Sequence, residues 1–265
     1  MSSKIHPAAV IEAGAQLGED CEIGPFCYVG PQVRLGHRCR LHSHAVIDGH
    51  TTLGDENEVF SFACLGKKTQ DLKYKGETTY VRIGRRNVFR EYVTVHAATG
   101  PTGAVTSIGD ECTLLAYTHV AHDCTLGSRI VMSSLAQIAG HVTIEDEVTL
   151  SGHSGVIQFA RLGRGAFLGG MSALVKDVLP YCIADGIPAE PRIINRIGME
   201  RRGKSPETVK AVEDAFKTIF RANLTLDEAV AKLKEKYADV PEVMEMVTFA
   251  TTSSKLGLAR PRARR

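Results

Sequence analysis

Residues 108–174 read IGDECT LLAYTH VAHDCT LGSRIV MSSLAQ IAGHVT IEDEVT LSGHSG VIQFAR LGRGAF LGGMSA L, spaced here every sixth residue. An aliphatic side chain opens each block: Ile108, Leu114, Val120, Leu126, Met132, Ile138, Ile144, Leu150, Val156, Leu162, Leu168 and Leu174. Working back toward the N-terminus, the same phase returns at Ile83, Phe89 and Val95. It runs unbroken from Ile5 through Ile11, Leu17, Ile23, Val29, Leu35, Leu41, Ile47, Leu53 and Val59 to Leu65. Four places after each opener stands a small or modest side chain, such as Ala9, Cys21, Val33, Ala45, Thr51 or Asn57. A period of six fits neither a helix at about 3.6 residues nor a plain strand at about 2. It fits a solenoid with one short strand per flat side and a corner every six residues. Three sides close a coil of 18 residues, and successive coils pair as parallel strands about 4.8 Å apart. Openers and their i+4 partners point into a narrow prism, while Gly, Asp and Asn between them serve the corners.

Two segments break the phase, 66–82 and 97–107, and must leave the solenoid as loops, where function often sits. After Leu174, Pro180, Pro188 and Pro191 mark a linker. Helical patterns follow over Asn195 to Arg202, then from Ser205-Pro-Glu through Val209, Val212, Phe216 and Phe220. Thr225-Leu-Asp-Glu228 is a capping box, and a last helix begins near Pro241. The reading is mainly β: a parallel β-helix over 1–190 and an α-helical C-terminal domain over 191–265. The Arg-rich end (Arg260, Arg262, Arg264, Arg265) reads as a solvated chain terminus.

Composition agrees. Of 265 residues, 43% are hydrophobic, aromatics are sparse and Trp is absent, which suits an aliphatic core. A formal charge of +2 gives no global call for nucleic acid or a membrane surface. The first residues lack the apolar region of a signal peptide, and no apolar run is long enough to cross a bilayer, so a cytoplasmic protein is expected. Of seven cysteines, Cys21, Cys27, Cys39, Cys112 and Cys124 fall in i+4 slots, which predicts buried, reduced thiols.

None of the ten histidines occupies an opener or i+4 slot in this phase, so all point away from the prism. His6, His37, His42, His44 and His50 read as solvated surface side chains. His122 differs. Gly140 lies one coil above it and Gln158 two coils above, with His141 beside Gly140. Asp123 follows directly and is placed to orient the imidazole. Such an imidazole suits a general base that removes a hydroxyl proton, and the unshielded Gly140 N–H suits an oxyanion.

The hexapeptide signature resembles the left-handed β-helix acyltransferase superfamily. The handedness comes from that resemblance, as do a homotrimer with sites between subunits and the absence of any metal or organic cofactor. Within it, Thr118-His-Val-Ala-His-Asp-Cys124, Ala139-Gly-His141, Gln70-Asp-Leu-Lys-Tyr74 and Arg201-Arg-Gly203 resemble the UDP-N-acetylglucosamine O-acyltransferases, which perform the first step of lipid A biosynthesis. The resemblance spans essentially the whole chain. It implies an acyl carrier protein as donor and UDP-N-acetylglucosamine as acceptor. His122 matches the base for the sugar 3-hydroxyl, Asp123 its supporting carboxylate, and Gly140 the oxyanion amide. Gln70, Asp71 and Lys73 match the loop that holds the glucosamine and acyl groups. His119, His141 and Gln158 match the nucleotide-sugar cleft, and Asn195 and Arg201 the contacts to nucleotide and phosphates. Gly170 falls where the family limits acyl length, and glycine there implies a longer chain. Ile157 and Ile197 depart from the family's histidine and glutamate, which leaves open a 3-amino sugar as acceptor. Arg196, Arg201, Arg202, Lys204, Lys210 and Lys217 form a basic set that would steer an acidic carrier protein, or else an ordinary solvated face.

Two other classes compete. Some left-handed β-helices bind zinc through three histidines and hydrate carbon dioxide, and His96, His119, His122 and His141 supply enough imidazoles. That reading leaves the Gln70–Tyr74 loop and the helical domain without a role. A catalytically silent scaffold has no use for the His122–Asp123 pair. The relative that acylates the glucosamine 2-amine carries its globular domain at the N-terminus, whereas hexads here begin at Ile5.

Overall fold

The computed structural model describes residues 3–261, so Arg262, Arg264 and Arg265 lie outside the described residues. Short strands stack into three sheets of eleven, nine and eight strands, each sheet collecting every third strand of the chain as far as Ala173–Leu174. Lys4 pairs with Glu22 and His119 with Gln137, which is the 18-residue step of a three-sided coil. The sheets form a left-handed parallel β-helix. Openers and i+4 residues fill the prism: Leu41, Leu65, Leu114, Ile138 and Leu162 are all buried. The five predicted thiols are buried too, and all seven cysteines are free. All five slot thiols donate to a carbonyl fifteen residues on, such as Cys124 Sγ to Ala139 O at 3.1 Å. Burial pushes the Cys39 thiol up to about 11 and Cys124 to about 12. Where an amide enters the prism it is satisfied internally: Asn57 Nδ2 donates to the Gly54 and Gly84 carbonyls, and its Oδ1 accepts from Asn87.

The three corners carry different columns of side chains. The corner between the eleven- and nine-stranded faces stacks Phe26, His44, Phe62, Tyr92 and Tyr117, with ring centroids 4.7–5.1 Å apart. His44 is therefore part of a ring ladder, and His42 stacks on Phe60 while bonding Glu58 at 2.8 Å. Neither is simply solvated. The corner between the eight- and eleven-stranded faces alternates charge through Arg38–Glu56, Arg86–Glu111 and Arg129–Glu147 pairs. Exposed pairs of this kind add little to stability. The remaining corner carries the two excursions.

These excursions are shorter than 66–82 and 97–107. Cys64–Lys67, Tyr80–Ile83 and Val105–Ile108 are strands of four residues, which leaves 68–79 and 97–104 outside the sheets. The cause is ladder continuity: Tyr80–Ile83 pairs residue by residue with both His50–Leu53 and Val105–Ile108, so neighbouring coils lengthen together.

The proline-rich stretch is not a linker. Cys182–Gly186 continues the eleven-stranded sheet and turns into the antiparallel strand Ala189–Ile194. Pro191 is tolerated because that strand ends the sheet, where a missing N–H costs no ladder bond. Four helices follow: α1 (Arg196–Arg201), α2 (Pro206–Arg221), α3 (Leu226–Tyr237) and α4 (Pro241–Thr251). Ser205 caps α2, and the Thr225–Glu228 capping box opens α3 as expected. The chain then returns to the prism: Asp177 N donates to Gly257 O at 3.0 Å, and Ala259 N donates to Asp177 O at 2.8 Å. Fully buried Asp177 also holds Arg161 through Nε at 2.8 Å, and the same guanidinium packs over the Phe249 ring of α4 at 4.4 Å.

Candidate active site

His122 sits at the corner between the nine- and eight-stranded faces. It points away from the prism, as its place in the hexad requires, yet it is only 7% exposed. The two excursions cover it. Thr69 and Thr99 hydroxyls join them at 3.1 Å, Thr99 N donates to Asp123 Oδ2 at 3.1 Å, and Asp71 reaches within 3.8 Å of His122 Nε2. His96, one position into the solvent-side row, is likewise buried at 7%. An outward direction from the coil is thus not exposure.

His122 Nδ1 lies 2.8 Å from Asp123 Oδ2. An ionised carboxylate only accepts, so Nδ1 carries the proton and Nε2 keeps its lone pair, a tautomer inferred from this network. Asp123 is itself fixed, with its N–H donating to Thr106 Oγ1 at 2.9 Å. One coil above, a Cβ on Gly140 would lie 2.4 Å from His122 Cε1 and 2.5 Å from Nε2. Only a glycine lets the ring pack there. The Gly140 N–H donates to no protein acceptor among the described residues. His141 meets the His122 ring edge-on at 5.2 Å, and its Nε2 lies 3.9 Å from Asp123 Oδ2.

The neighbouring imidazoles are kept neutral. Burial, reinforced by His96 and His122, lowers the His119 pKa to about 4, and its Nδ1 meets Thr94 Oγ1 at 2.8 Å. Burial likewise lowers His96 and His141, with the His122 charge adding to both. His122, Asp123 and His141 present ligand atoms within 4.8 Å of one another, so they are the described residues with a metal-like grouping. The shortest of those distances is the His122–Asp123 hydrogen bond, and Asp123 is further occupied by Thr99 N.

The predicted residues thus separate into two groups. His122, Asp123, Gly140, His141, His119 and Asp71 converge on one corner. Gln158 stands exposed two coils up that corner, and Gln70 and Lys73 are exposed on the covering loop, where Asp71 Oδ1 accepts from Lys73 N at 2.9 Å. Asn195, Arg201 and Gly170 do not join them within one chain. Asn195 is buried, caps α1 by accepting from Gly198 N at 3.0 Å, and donates to Gly165 O at 3.0 Å. Both ends of its amide serve the fold. Arg201 lines a cleft of about 800 Å³ between α1, α2 and the outside of the eleven-stranded sheet, with Phe167, Ile197 and Phe216. That face is opposite the His122 corner. Gly170 occupies the aromatic corner next to exposed Met171, and a Cβ there would meet nothing closer than Gly152 O at 3.4 Å.

The basic set is largely neutralised. Arg196 and Lys217 pair with Glu213, Arg202 with Glu147, and Lys204 with Glu242. Sequence reasoning also missed Thr94, Thr99 and Thr106, which hold His119 and Asp123, and Phe159, which stacks on His141 at 4.8 Å. Counting one 18-residue step from His141 finds Phe159. Nothing local marks the threonines, because loop closure brings them in.

The chain matches two family models, one for bacterial transferase hexapeptide repeats over residues 2–37 and 14–49, and one for the second domain of UDP-N-acetylglucosamine O-acyltransferase over 177–259. Among solved structures it is similar to the UDP-N-acetylglucosamine acyltransferase of Francisella novicida, at 35% identity and a TM-score of 0.93, covering 97% of this chain and 94% of that one. The Campylobacter jejuni enzyme gives 37% identity and 0.92, covering 98% and 100%. The Arabidopsis enzyme gives 32% and 0.86, covering 96% and 99%. With identity above 30% along nearly its whole length, this chain belongs to the UDP-N-acetylglucosamine acyltransferase family.

Proposed function

We propose that this protein moves an acyl chain from acyl carrier protein to the glucosamine 3-position of UDP-N-acetylglucosamine, the first step of lipid A biosynthesis. The observation that carries the mechanism is the His122–Asp123 bond at 2.8 Å, which leaves Nε2 as acceptor under the covering loops. Nε2 takes the 3-hydroxyl proton as the sugar oxygen attacks the thioester carbonyl. Negative charge collects on the carbonyl oxygen, where the Gly140 N–H is unoccupied. The intermediate then expels the carrier thiolate, which leaves as thiol with the proton from the His122 imidazolium. Asp123 stabilises that imidazolium throughout. His119, His96 and His141, kept neutral, add no competing positive charge.

A homotrimer supplies what one chain does not bring together. The Arg201 cleft and Gly170 lie away from the His122 corner, so a second copy packed alongside, prism axes parallel, is the source of those groups for this site. Gly170, with no side chain of its own at this position, gives the acyl chain room to run on. No step of direct acyl transfer calls for a metal or an organic cofactor. The acidic carrier meets the helical face through Arg201 and Lys210, which carry no ion pair among the described residues.

The test offers purified protein a panel of acyl carrier protein donors with UDP-N-acetylglucosamine or its 3-amino analogue, and reads products by mass spectrometry. An ester product at the sugar 3-position supports this reading, and its mass gives the preferred acyl length. An amide formed only with the analogue would replace the acceptor, and no product with any donor would sink the reading.

A further inference from the structure

A chain of contacts leads from the reacting corner to the C-terminal segment. His122 meets His141 edge-on at 5.2 Å, and His141 stacks on Phe159 at 4.8 Å with the planes 12° apart. On the far side of Phe159, Lys255 Nζ sits 3.7 Å from the ring centroid. The ammonium is near enough to disfavour protonation of His141. Lys255 is exposed and pairs with no carboxylate among the described residues.

Its position is held, not incidental. The next residues are tied to the prism by the two backbone bonds between Asp177 and Gly257 and Ala259. Asp177 is fully buried and clamped by Arg161, whose Nη2 reaches both the Phe249 and Thr252 carbonyls at the end of α4. One buried ion pair therefore fixes the start and the end of the segment that carries Lys255.

The height along the prism is informative. Phe159 lies two coils above His122, about 10 Å along the axis at the strand spacing of parallel sheets. A nucleotide sugar whose 3-hydroxyl touches His122 and which extends toward the helical domain carries its diphosphate near that level. Asn195, the polar side chain the family resemblance assigns to the nucleotide, has both ends of its amide committed to the fold. Arg201, which the resemblance also assigns to the phosphates, lies on the opposite face of the same chain and reaches this corner only from a second copy, so Lys255 is the cation that this chain itself brings to the corner. We propose that Lys255 binds the diphosphate of the nucleotide sugar, seated over Phe159, and so sets the sugar at the height of His122. This rests on the acyltransferase reading for the sugar's direction. Phe159 serves as the platform that holds the ammonium above His141.

The experiment compares wild type, Lys255→Met and Lys255→Arg, varying UDP-N-acetylglucosamine at saturating acyl donor and the reverse. Independently of turnover, calorimetry measures binding of UDP and of uridine to each protein. A charge-assisted contact predicts about a tenfold or larger rise in KM for the nucleotide sugar in Lys255→Met, with kcat within about twofold. The Arg variant restores most of it, UDP binding weakens by a similar factor, uridine binding is unchanged, and the KM for the carrier protein stays put. An unchanged sugar KM and UDP affinity in Lys255→Met overturns the proposal, as does a rise confined to the carrier protein KM. If wild type makes no acyl product, the functional reading has failed, and the UDP and uridine titrations alone decide the role of Lys255.

Discussion

His122 and Asp123 are consecutive residues whose side chains meet at 2.8 Å. In a strand, neighbours point to opposite faces. Here Asp123 stands at a corner with φ 59°, a left-handed conformation that turns its carboxylate back onto the preceding imidazole. The coil corner thus builds the pair without help from distant sequence.

Removal of the base is the first consequence. His122→Ala is expected to lower kcat by about 10²–10⁴-fold, the usual range for a positioned general base. Thermal unfolding should move little, because the side chain is outside the prism. Stopped-assay kinetics beside a melting curve check both halves.

Asp123→Asn keeps the shape but removes the charge that favours the Nδ1–H tautomer. The expected result is a kcat loss of about tenfold or more with the sugar KM little changed. Equal kcat in the two proteins, at matched folding, would remove Asp123 from the mechanism.

Gly140→Ala tests the close packing at the next coil. Its methyl would stand 2.4–2.5 Å from the His122 ring, so the imidazole must move. Activity should fall toward that of His122→Ala while the fold persists. A structure of the variant would show the ring displaced from Asp123.

The C-terminal clamp is a stability matter. Asp177→Ala leaves the Arg161 guanidinium and the Arg161 N–H without their buried carboxylate, and a loss of roughly 3–5 kcal/mol is expected. Urea unfolding of wild type and variant reads it directly.

Acid stability follows from the buried imidazoles. His119 is held at about 4 against an ordinary value of 6.5. Between those values the unfolded chain binds a proton that the native state refuses, so stability is full above the ordinary value and falls as pH drops through the window. The gap corresponds to roughly 3 kcal/mol. Urea midpoints at neutral pH and near pH 5 should therefore converge more for His119→Gln than for wild type.

Most of the architecture was legible because its signal is periodic. An opener every six residues and an 18-residue coil are enough to place Gly140 above His122, and local chemistry is enough to place the Ser205 and Thr225 caps. What was not legible depends on contacts between distant segments. The covering of His122 comes from Thr69 meeting Thr99 across thirty residues. The commitment of Asn195 to Gly165 is of the same kind, as is the return of Gly257 and Ala259 to Asp177. The proline-rich stretch misled for a related reason, since an edge strand accepts proline and a strand pattern with proline reads as a break.

The most direct test of the account is the single-turnover rate of acyl transfer for wild type and His122→Ala under saturating substrates. The account predicts a variant slower by about 10²–10⁴-fold. A variant that transfers at the wild-type rate would contradict it.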